Sequence, residues 1–204
     1  MFYRIQPEVN YDEKSVFYID EIISRLFEDE AVFLDEKSLD FKDCRFNKMV
    51  FAESKMIKSD FTNVIFEKCD LSNVDFTDSS IHRVIFKDCK MTGVNMVDCS
   101  LKYIQIINSK CDYLNLSFSK LEEAAFEESQ LISSVLNECK LKKVKFDNCN
   151  LSNSEIFNTK LKGIDFSTSN IQGVSFNLDN LKGCKLNTYQ AIDISKLLGI
   201  IIKD

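Results

Sequence analysis

Residues 59–78 read SDFTNVIFEKCDLSNVDFTD, and this stretch decides the fold of the chain. Every fifth residue in it is large and apolar: Phe61, Phe66, Leu71 and Phe76. The same spacing continues from Phe41 to Leu186, where every central residue is Phe, Leu, Ile or Met except Cys111. A period of five fits neither an α-helix, with about 3.6 residues per turn, nor a strand, with two. Such long self-similarity predicts a solenoid.

A second position of each repeat, two residues before the central one, holds a small or β-branched residue. Val or Ile alternates there with Cys or Ser along much of the chain, as in Val64, Cys69, Val74 and Ser79. We expect these two positions to face inward. The other three positions are mostly Asp, Asn, Lys, Ser, Glu and Thr, which is typical of solvent-facing corners. The alternation makes the sub-repeat ten residues long, and two sub-repeats make a coil of twenty.

This pattern of a small residue, a polar residue, a central Leu or Phe and two variable residues resembles the pentapeptide-repeat family, from about Leu39 to Leu186. The resemblance implies an all-β solenoid, a right-handed quadrilateral β-helix in which residues twenty apart stack. At about 4.8 Å between stacked strands, the rod is expected to be about 36 Å long. The predicted structural core includes the following central residues: Phe66, Phe76, Phe86, Leu101, Phe126, Leu141, Phe146, Leu161, Phe166 and Phe176.

The flanking segments are predicted to cap the solenoid, which divides the chain into residues 1–38, 39–188 and 189–204. In the first segment, Val16, Ile19, Ile23 and Phe27 recur at spacings of three and four. This spacing predicts an amphipathic helix from Asp12 to Glu30. The segment is acidic: residues 1–40 hold eleven of the chain's 32 carboxylates and four of its 26 basic residues.

The C-terminal segment is predicted to form a short helix from about Tyr189 to Leu198, closed by Gly199. This segment holds more apolar side chains than a cap needs. A patch of this kind, used by both copies, gives a two-fold homodimer. The predicted dimer interface comprises Tyr189, Ile192, Ile194, Leu197, Leu198, Ile200 and Ile201.

The same segment, LKGCKLNTYQAIDISKLLGI from Leu181 to Ile200, resembles the ending of the Qnr quinolone-resistance proteins. Lys185, Leu186, Tyr189, Gln190 and Ala191 match there, followed by the final Leu-Gly-Ile. In that branch the tail forms a dimer interface, and the rod mimics duplex DNA and binds DNA gyrase or topoisomerase IV. The present chain has no insertion like the loops that project from Gram-negative Qnr proteins.

Charge is distributed unevenly among the predicted faces of the rod. One face is expected to be acidic, with a candidate partner-binding set of Asp75, Asp78, Asp98, Glu138 and Glu155. Another face is expected to be basic, with Lys102, Lys120, Lys140, Lys142, Lys143, Lys160, Lys162 and Lys182 outnumbering Glu122 and Glu123. Solvated corners account for either face without any partner.

Nothing in the sequence indicates catalysis, so we expect no enzyme and no cofactor. The single histidine, His82, lies at a corner position without a nucleophile or orienting acid around it. Seven of the eight cysteines occupy the small inward position, and Cys111 occupies a central one, which predicts core thiols rather than a metal site. The chain has no apparent leader or membrane span, so we expect a cytoplasmic protein.

Two functional hypotheses follow. The first is a non-catalytic dimeric rod that binds a type II topoisomerase as a DNA mimic, with an effect on quinolone tolerance. The alternative is a scaffold for another protein partner, which the lysine face and the acidic N-terminal segment suit equally well. Direct nucleic-acid binding is disfavoured because the lysine face lacks interleaved aromatic residues.

Overall fold

The computed structural model describes residues 21–23 and 25–203. These residues form a parallel β-solenoid of about seven turns that ends in one short helix, which confirms the predicted pentapeptide-repeat fold. In chain order the strands are β1 (Glu21–Ile23), β2 (Leu26–Glu28), β3 (Asp35–Lys37), β4 (Asp40–Lys42), β5 (Arg45–Asn47), β6 (Lys55–Ile57), β7 (Asp60–Glu67), β8 (Ser80–Lys87), β9 (Ser100–Lys102), β10 (Gln105–Ile107), β11 (Lys120–Glu122), β12 (Ala125–Glu127), β13 (Lys140–Lys142), β14 (Lys145–Asp147), β15 (Glu155–Ile156) and β16 (Ser175–Phe176). A 3₁₀ turn at Leu178–Leu181 and helix α1 (Thr188–Leu197) follow.

Each strand pairs in parallel with the strand one coil away, so side chains twenty residues apart stack in columns. Strand β10 lies between β8 and β12, and this places Ile106 directly between Phe86 and Phe126. Isolated bridges continue the same register where the strands are shortest, as between Asn115 and Val135. The period of twenty residues is therefore the geometry of one complete coil.

The interior is filled by the central residues and the small residues of the repeat. One column consists largely of phenylalanines, in which Phe46, Phe66 and Phe86 stack with ring centroids 4.9 and 5.0 Å apart. The column resumes after Ile106, with Phe126 and Phe146 4.9 Å apart. Stacked rings gain contact energy beyond burial alone, so each coil depends on its neighbours for its stability.

Eight of the ten predicted core residues are buried, and two are only partly so. Leu141 lies in β13, and the described residues of the following coil form no β-bridge to this strand. Phe176 lies in β16, the last strand of its own face among the described residues. Both side chains are more exposed than predicted because the ladder ends at their strands.

The small inward position also satisfies buried backbone groups. The Ser119 hydroxyl accepts a hydrogen bond from the Cys99 amide at 2.8 Å and donates one to the Met96 carbonyl at 2.6 Å. Cys99 makes the equivalent contact with its thiol, which donates to the Phe76 carbonyl at 3.0 Å. Buried backbone groups need partners. This need explains why Ser, Thr and Cys recur where only a small side chain fits.

The corners of the coil are left-handed at the second residue after most central positions. Positive φ angles occur there at Gly93, Gly163, Gly173 and Gly183. Twenty-five other described residues also have positive φ, and all but three of them are polar or charged. The three are Tyr103, Tyr113 and Phe118, with φ of 56°, 61° and 65°. A left-handed conformation costs about 1–2 kcal/mol for a side chain of this kind.

The predicted N-terminal helix is wrong where it can be assessed. Its described part, from Glu21 to Glu30, contains β1 and β2, while residues 1–20 lie outside the described residues. Strand β2 pairs Phe27 with Phe46, nineteen residues later, whereas β3 and β6 are offset by twenty. One residue is therefore missing from the coil before Glu36. This single deletion puts the residues before it out of register with the count of five that starts at Phe41.

The C-terminal helix is confirmed, and its N-terminus is fixed to the solenoid. Asn187 caps the helix by accepting from the Gln190 amide at 3.0 Å, and the Gln190 side chain accepts in return from the Asn187 amide at 2.9 Å. The Gln190 amide group also donates to the Phe166 and Ser169 carbonyls at 2.8 and 2.7 Å. Gly199, with φ of 74°, follows the end of the helix.

Candidate partner-binding surface

We define the acidic face as the five pentapeptides centred on Phe76, Met96, Leu116, Leu136 and Ile156. These pentapeptides contain five carboxylates and no Lys or Arg. Asp75 and Glu155 are eighty residues apart, that is four coils or about 19 Å. Five carboxylates over five coils average one charge per coil, or per about 4.8 Å. One strand of duplex DNA carries one charge per about 3.4 Å. The linear charge density of the face is thus about 70% of that of a single DNA strand.

The five predicted carboxylates are not equivalent. The Asp75 side chain is half-buried and accepts hydrogen bonds from the Thr77 amide at 2.9 Å and hydroxyl at 2.5 Å. It caps its own turn, which makes its role largely structural. Asp78 is exposed but pairs with Lys58 at 3.6 Å. Asp98 and Glu138 are exposed and form no ion pair among the described residues.

Glu155 lies within the face rather than at its edge, in β15. Its side chain is exposed and accepts one long hydrogen bond from the Asn137 amide group, at 3.5 Å. Asp98, Glu138 and Glu155 are therefore the carboxylates most available to a partner. Exposure to solvent is compatible with partner binding by these carboxylates. Their binding role stays a prediction.

Three carboxylates share one corner of the rod with an aromatic side chain. Asp78, Asp98, Phe118 and Glu138 succeed one another at intervals of twenty residues, each at the left-handed position. Phe118 thus lies one coil, about 4.8 Å, from Asp98 on one side and from Glu138 on the other. The pentapeptide that ends at Phe118 has no charge of its own.

The exposed aromatic corners were missed by the sequence analysis. Tyr113 and Phe118 are 63% and 52% exposed, and they bound the acidic face on its two sides within a single coil. Tyr103, at a third corner of the coil, is 39% exposed. Its ring lies 5.5 Å from that of His82 and 5.1 Å from the Lys102 ammonium. The sequence did contain a signal for these exposed rings, since each aromatic residue stands at a position of the repeat that is otherwise polar or glycine.

The basic face, centred on Leu101, Leu121, Leu141, Leu161 and Leu181, is partly neutralised by ion pairs. Lys142 and Lys143 pair with Glu122 and Glu123 at 2.5 and 2.7 Å. The hydrogen bond from Lys142 lowers the pKa of Glu122. Five other lysines of this face are exposed and form no ion pair within the described part of the chain: Lys120, Lys140, Lys160, Lys162 and Lys182. Lys102 also approaches Glu122, at 3.8 Å.

No constellation typical of catalysis or metal binding occurs in residues 21–23 and 25–203. Burial, together with the charges of Arg83 and Lys102, lowers the pKa of His82. All eight cysteines are free thiols, and no cluster of potential metal ligands is found among these residues. Within the same residues, no helix has the length and apolar character needed to cross a membrane.

The C-terminal segment exposes a continuous set of apolar side chains. Of the residues predicted for the dimer interface, Ile194 is half-buried and the others are exposed, with Tyr189 and Ile201 at 81% and 86%. A groove of about 580 Å³ separates α1 from the coil that contains Ile171 and Val174. The dimer interface stays a prediction, since the structure contains a single chain.

Comparison with known proteins places the chain among repeat solenoids. A family model described as a pentapeptide repeat region matches residues 59–134 and 119–186. No curated protein matches the sequence significantly.

Solved structures resemble the chain at low sequence identity. HetL, a pentapeptide repeat protein involved in heterocyst differentiation from the cyanobacterium Nostoc sp. strain PCC 7120, is 12% identical over 81% of this chain and 86% of its own, with a TM-score of 0.37. Full-length QnrB1, a plasmid-mediated fluoroquinolone resistance protein, is 20% identical over 88% of this chain and 100% of its own, with a TM-score of 0.36. A pentapeptide repeat protein from the Arabidopsis thaliana thylakoid lumen is 11% identical over 47% and 67%, with a TM-score of 0.45.

Proposed function

The chain belongs to the pentapeptide-repeat family, and on that premise we propose that it is a non-catalytic dimeric rod that binds DNA gyrase or topoisomerase IV in place of DNA. The observation that carries the proposal is the acidic face, with five carboxylates and no basic residue in five stacked pentapeptides. The Qnr-like sequence from Leu181 to Ile200 directs the proposal to a type II topoisomerase. The protein would act in the cytoplasm, where that enzyme meets DNA.

The proposed mechanism is electrostatic substitution. A DNA-binding protein surface presents Lys and Arg side chains spaced to contact phosphates. Asp98, Glu138 and Glu155 would take the place of those phosphates on the rod. Each solvent-exposed contact between a carboxylate and a basic side chain would weaken as the salt concentration rises. Because the carboxylates belong to a rigid backbone ladder, they need little ordering on binding.

Dimerisation would double the length of this surface. The column from Phe27 to Leu186 spans nine levels, or about 38 Å, so two rods joined at their C-termini would extend for about 76 Å. The exposed side chains of Tyr189, Leu197, Leu198 and Ile201 supply apolar area for the joint. Gln190 holds α1 against the last coil, which fixes the orientation of that patch.

The proposed binding is tested by supercoiling assays with gyrase from the cognate organism, with and without a fluoroquinolone. We expect the wild-type protein to inhibit supercoiling or to change its sensitivity to the drug. The variant Asp98→Asn/Glu138→Gln should weaken this effect, because it removes two available carboxylates. The matched control Glu127→Gln/Glu128→Gln removes two charges from a different face and should behave as wild type. An unchanged gyrase activity with the wild-type protein would refute the proposal.

The proposed dimer is tested by a single charge in the C-terminal patch. Leu197→Asp should give a folded monomer by sedimentation analysis, because a carboxylate in a buried apolar joint is strongly unfavourable. Thr188→Asp, at the exposed first turn of the same helix, should leave the dimer intact. A dimer that persists in Leu197→Asp would show that the interface lies elsewhere.

The basic face favours a second candidate function, a scaffold for an acidic protein partner. Lys140, Lys160 and Lys162 are exposed on successive coils without ion pairs among the described residues. Affinity capture with wild-type protein and with Lys140→Glu/Lys160→Glu separates the two functions. A scaffold should lose its partner in this variant, whereas a topoisomerase bound through the acidic face should be retained.

A further inference from the structure

The coil from Cys99 to Phe118 is the only part of the described chain in which aromatic residues occupy left-handed corners. Elsewhere in residues 21–23 and 25–203, the non-glycine residues with positive φ are polar or charged. Bulky side chains are disfavoured in this conformation. Backbone strain of this kind tends to persist at functional sites.

Burial in the solenoid does not compensate for this strain. The rings of Tyr113 and Phe118 are more than half exposed, and within the described residues neither forms a ring or cation contact. Tyr103 has the same backbone conformation, but it packs against His82 and Lys102. Two of the three aromatic corners therefore have no ring or cation contact among the residues that the structure describes.

The neighbours of Tyr113 and Phe118 leave both rings accessible. Gly93 and Ser133 occupy the corner positions one coil away from Tyr113, and both have small side chains. Asp98 and Glu138 occupy the same positions beside Phe118. The pentapeptide between the two rings carries no charge, and it contributes the polar residues Asn115 and Ser117 while Leu114 and Leu116 are buried. The result is a pair of exposed aromatic rings on an uncharged stretch of the surface, with carboxylates on both sides of Phe118.

This arrangement selects one kind of partner. Arginine stacks its guanidinium on aromatic rings and pairs with carboxylates through two hydrogen bonds, so a single side chain matches both features. Aromatic anchors near the centre of an interface contribute most of its binding energy, and a charged rim contributes less. Nucleic acids and anionic lipid surfaces also meet aromatic side chains, but Asp98 and Glu138 would repel their phosphates.

We propose that Tyr113 and Phe118, together with Asp98 and Glu138, form the docking centre for arginine side chains of a DNA-binding protein surface. This inference rests on the proposed function and specifies which part of the rod makes the decisive contact. The remaining carboxylates of the acidic face then guide association at a distance, and the aromatic centre holds the complex once formed.

The test compares two variants that both introduce Asn at corner positions with positive φ. Tyr113→Asn/Phe118→Asn removes both rings, and Asn is the residue already found at corners such as Asn108 and Asn153. Because Asn tolerates the left-handed conformation, this variant should unfold at or above the wild-type temperature. Tyr103→Asn makes the same change at the third corner of the coil and is the control.

Binding to purified gyrase is measured by titration calorimetry at two salt concentrations. We expect the double variant to bind at least tenfold more weakly than wild type, and Tyr103→Asn to bind within twofold of it. Equal binding of wild type and double variant would overturn the docking centre while leaving the proposed function intact. Absence of binding by the wild type would overturn both.

Discussion

Replacing Phe66 by alanine tests whether the stacked phenylalanine column stabilises the rod. Phe66 is 1% exposed, and its ring lies 4.9 Å from Phe46 and 5.0 Å from Phe86. Truncation of a fully buried Phe costs about 3–5 kcal/mol, and the loss of two stacked neighbours places this site near the upper end. We therefore expect the free energy of unfolding to fall by about 4 kcal/mol.

The assay is guanidinium unfolding followed by circular dichroism. With an m-value of about 5 kcal/mol/M, a loss of about 4 kcal/mol lowers the midpoint by about 0.8 M. The matched control is Phe176→Ala in the last strand of its face, where the ring is only partly buried, and its loss should be about 1–2 kcal/mol. Equal midpoint shifts in the two variants would refute the view that each coil is stabilised by coverage on both sides.

Three further predictions concern the corners and the interior. Ser119→Ala should lower the free energy of unfolding by about 1–3 kcal/mol, because it leaves the buried Cys99 amide and Met96 carbonyl without partners. The control Ser100→Ala, at an exposed position, should be nearly neutral in the same unfolding assay. Gly93→Ala and Gly163→Ala both place a side chain at positive φ. Gly93→Ala should lower the melting temperature more, because its Cβ would lie 2.2 Å from the Asn73 side chain, whereas the Cβ of Gly163→Ala would meet no atom within 4 Å. Seven of the eight cysteines are buried, and burial raises the pKa values of thiols such as those of Cys99 and Cys139. Native protein at pH 8 should therefore react with at most one equivalent of a thiol reagent, and unfolded protein with all eight.

The sequence predicted the architecture because the repeat is local and uninterrupted over most of the chain. A five-residue period with two inward positions leaves few ways to bury the large residues, so Phe66 and its equivalents could be assigned to the core without coordinates. The helix that ends before Gly199 was also predictable, since an apolar segment followed by glycine carries its own stop signal.

The N-terminal boundary could not be obtained in this way. Phe27 belongs to the same column as Phe46, but the intervening coil is one residue short. A count of every fifth residue loses its register at such a deletion, whereas β2 still pairs with β5 across the shortened coil. The segment from Glu21 to Glu30 thus falls outside the count of five that starts at Phe41, although it contributes β1 and β2 to the solenoid.

The solenoid, its interior residues and its uneven charge depend on spacing along the chain, so they could be inferred from the amino-acid sequence. Which carboxylates are exposed without an ion pair among the described residues, as Asp98 is, and which cap a turn, as Asp75 does, depends on how the coils pack. The tertiary structure also brought Tyr113 and Phe118 to opposite edges of one face, with Phe118 between Asp98 and Glu138. These relations depend on coils stacked twenty residues apart and on the conformation of each corner, so distance along the sequence does not reveal them.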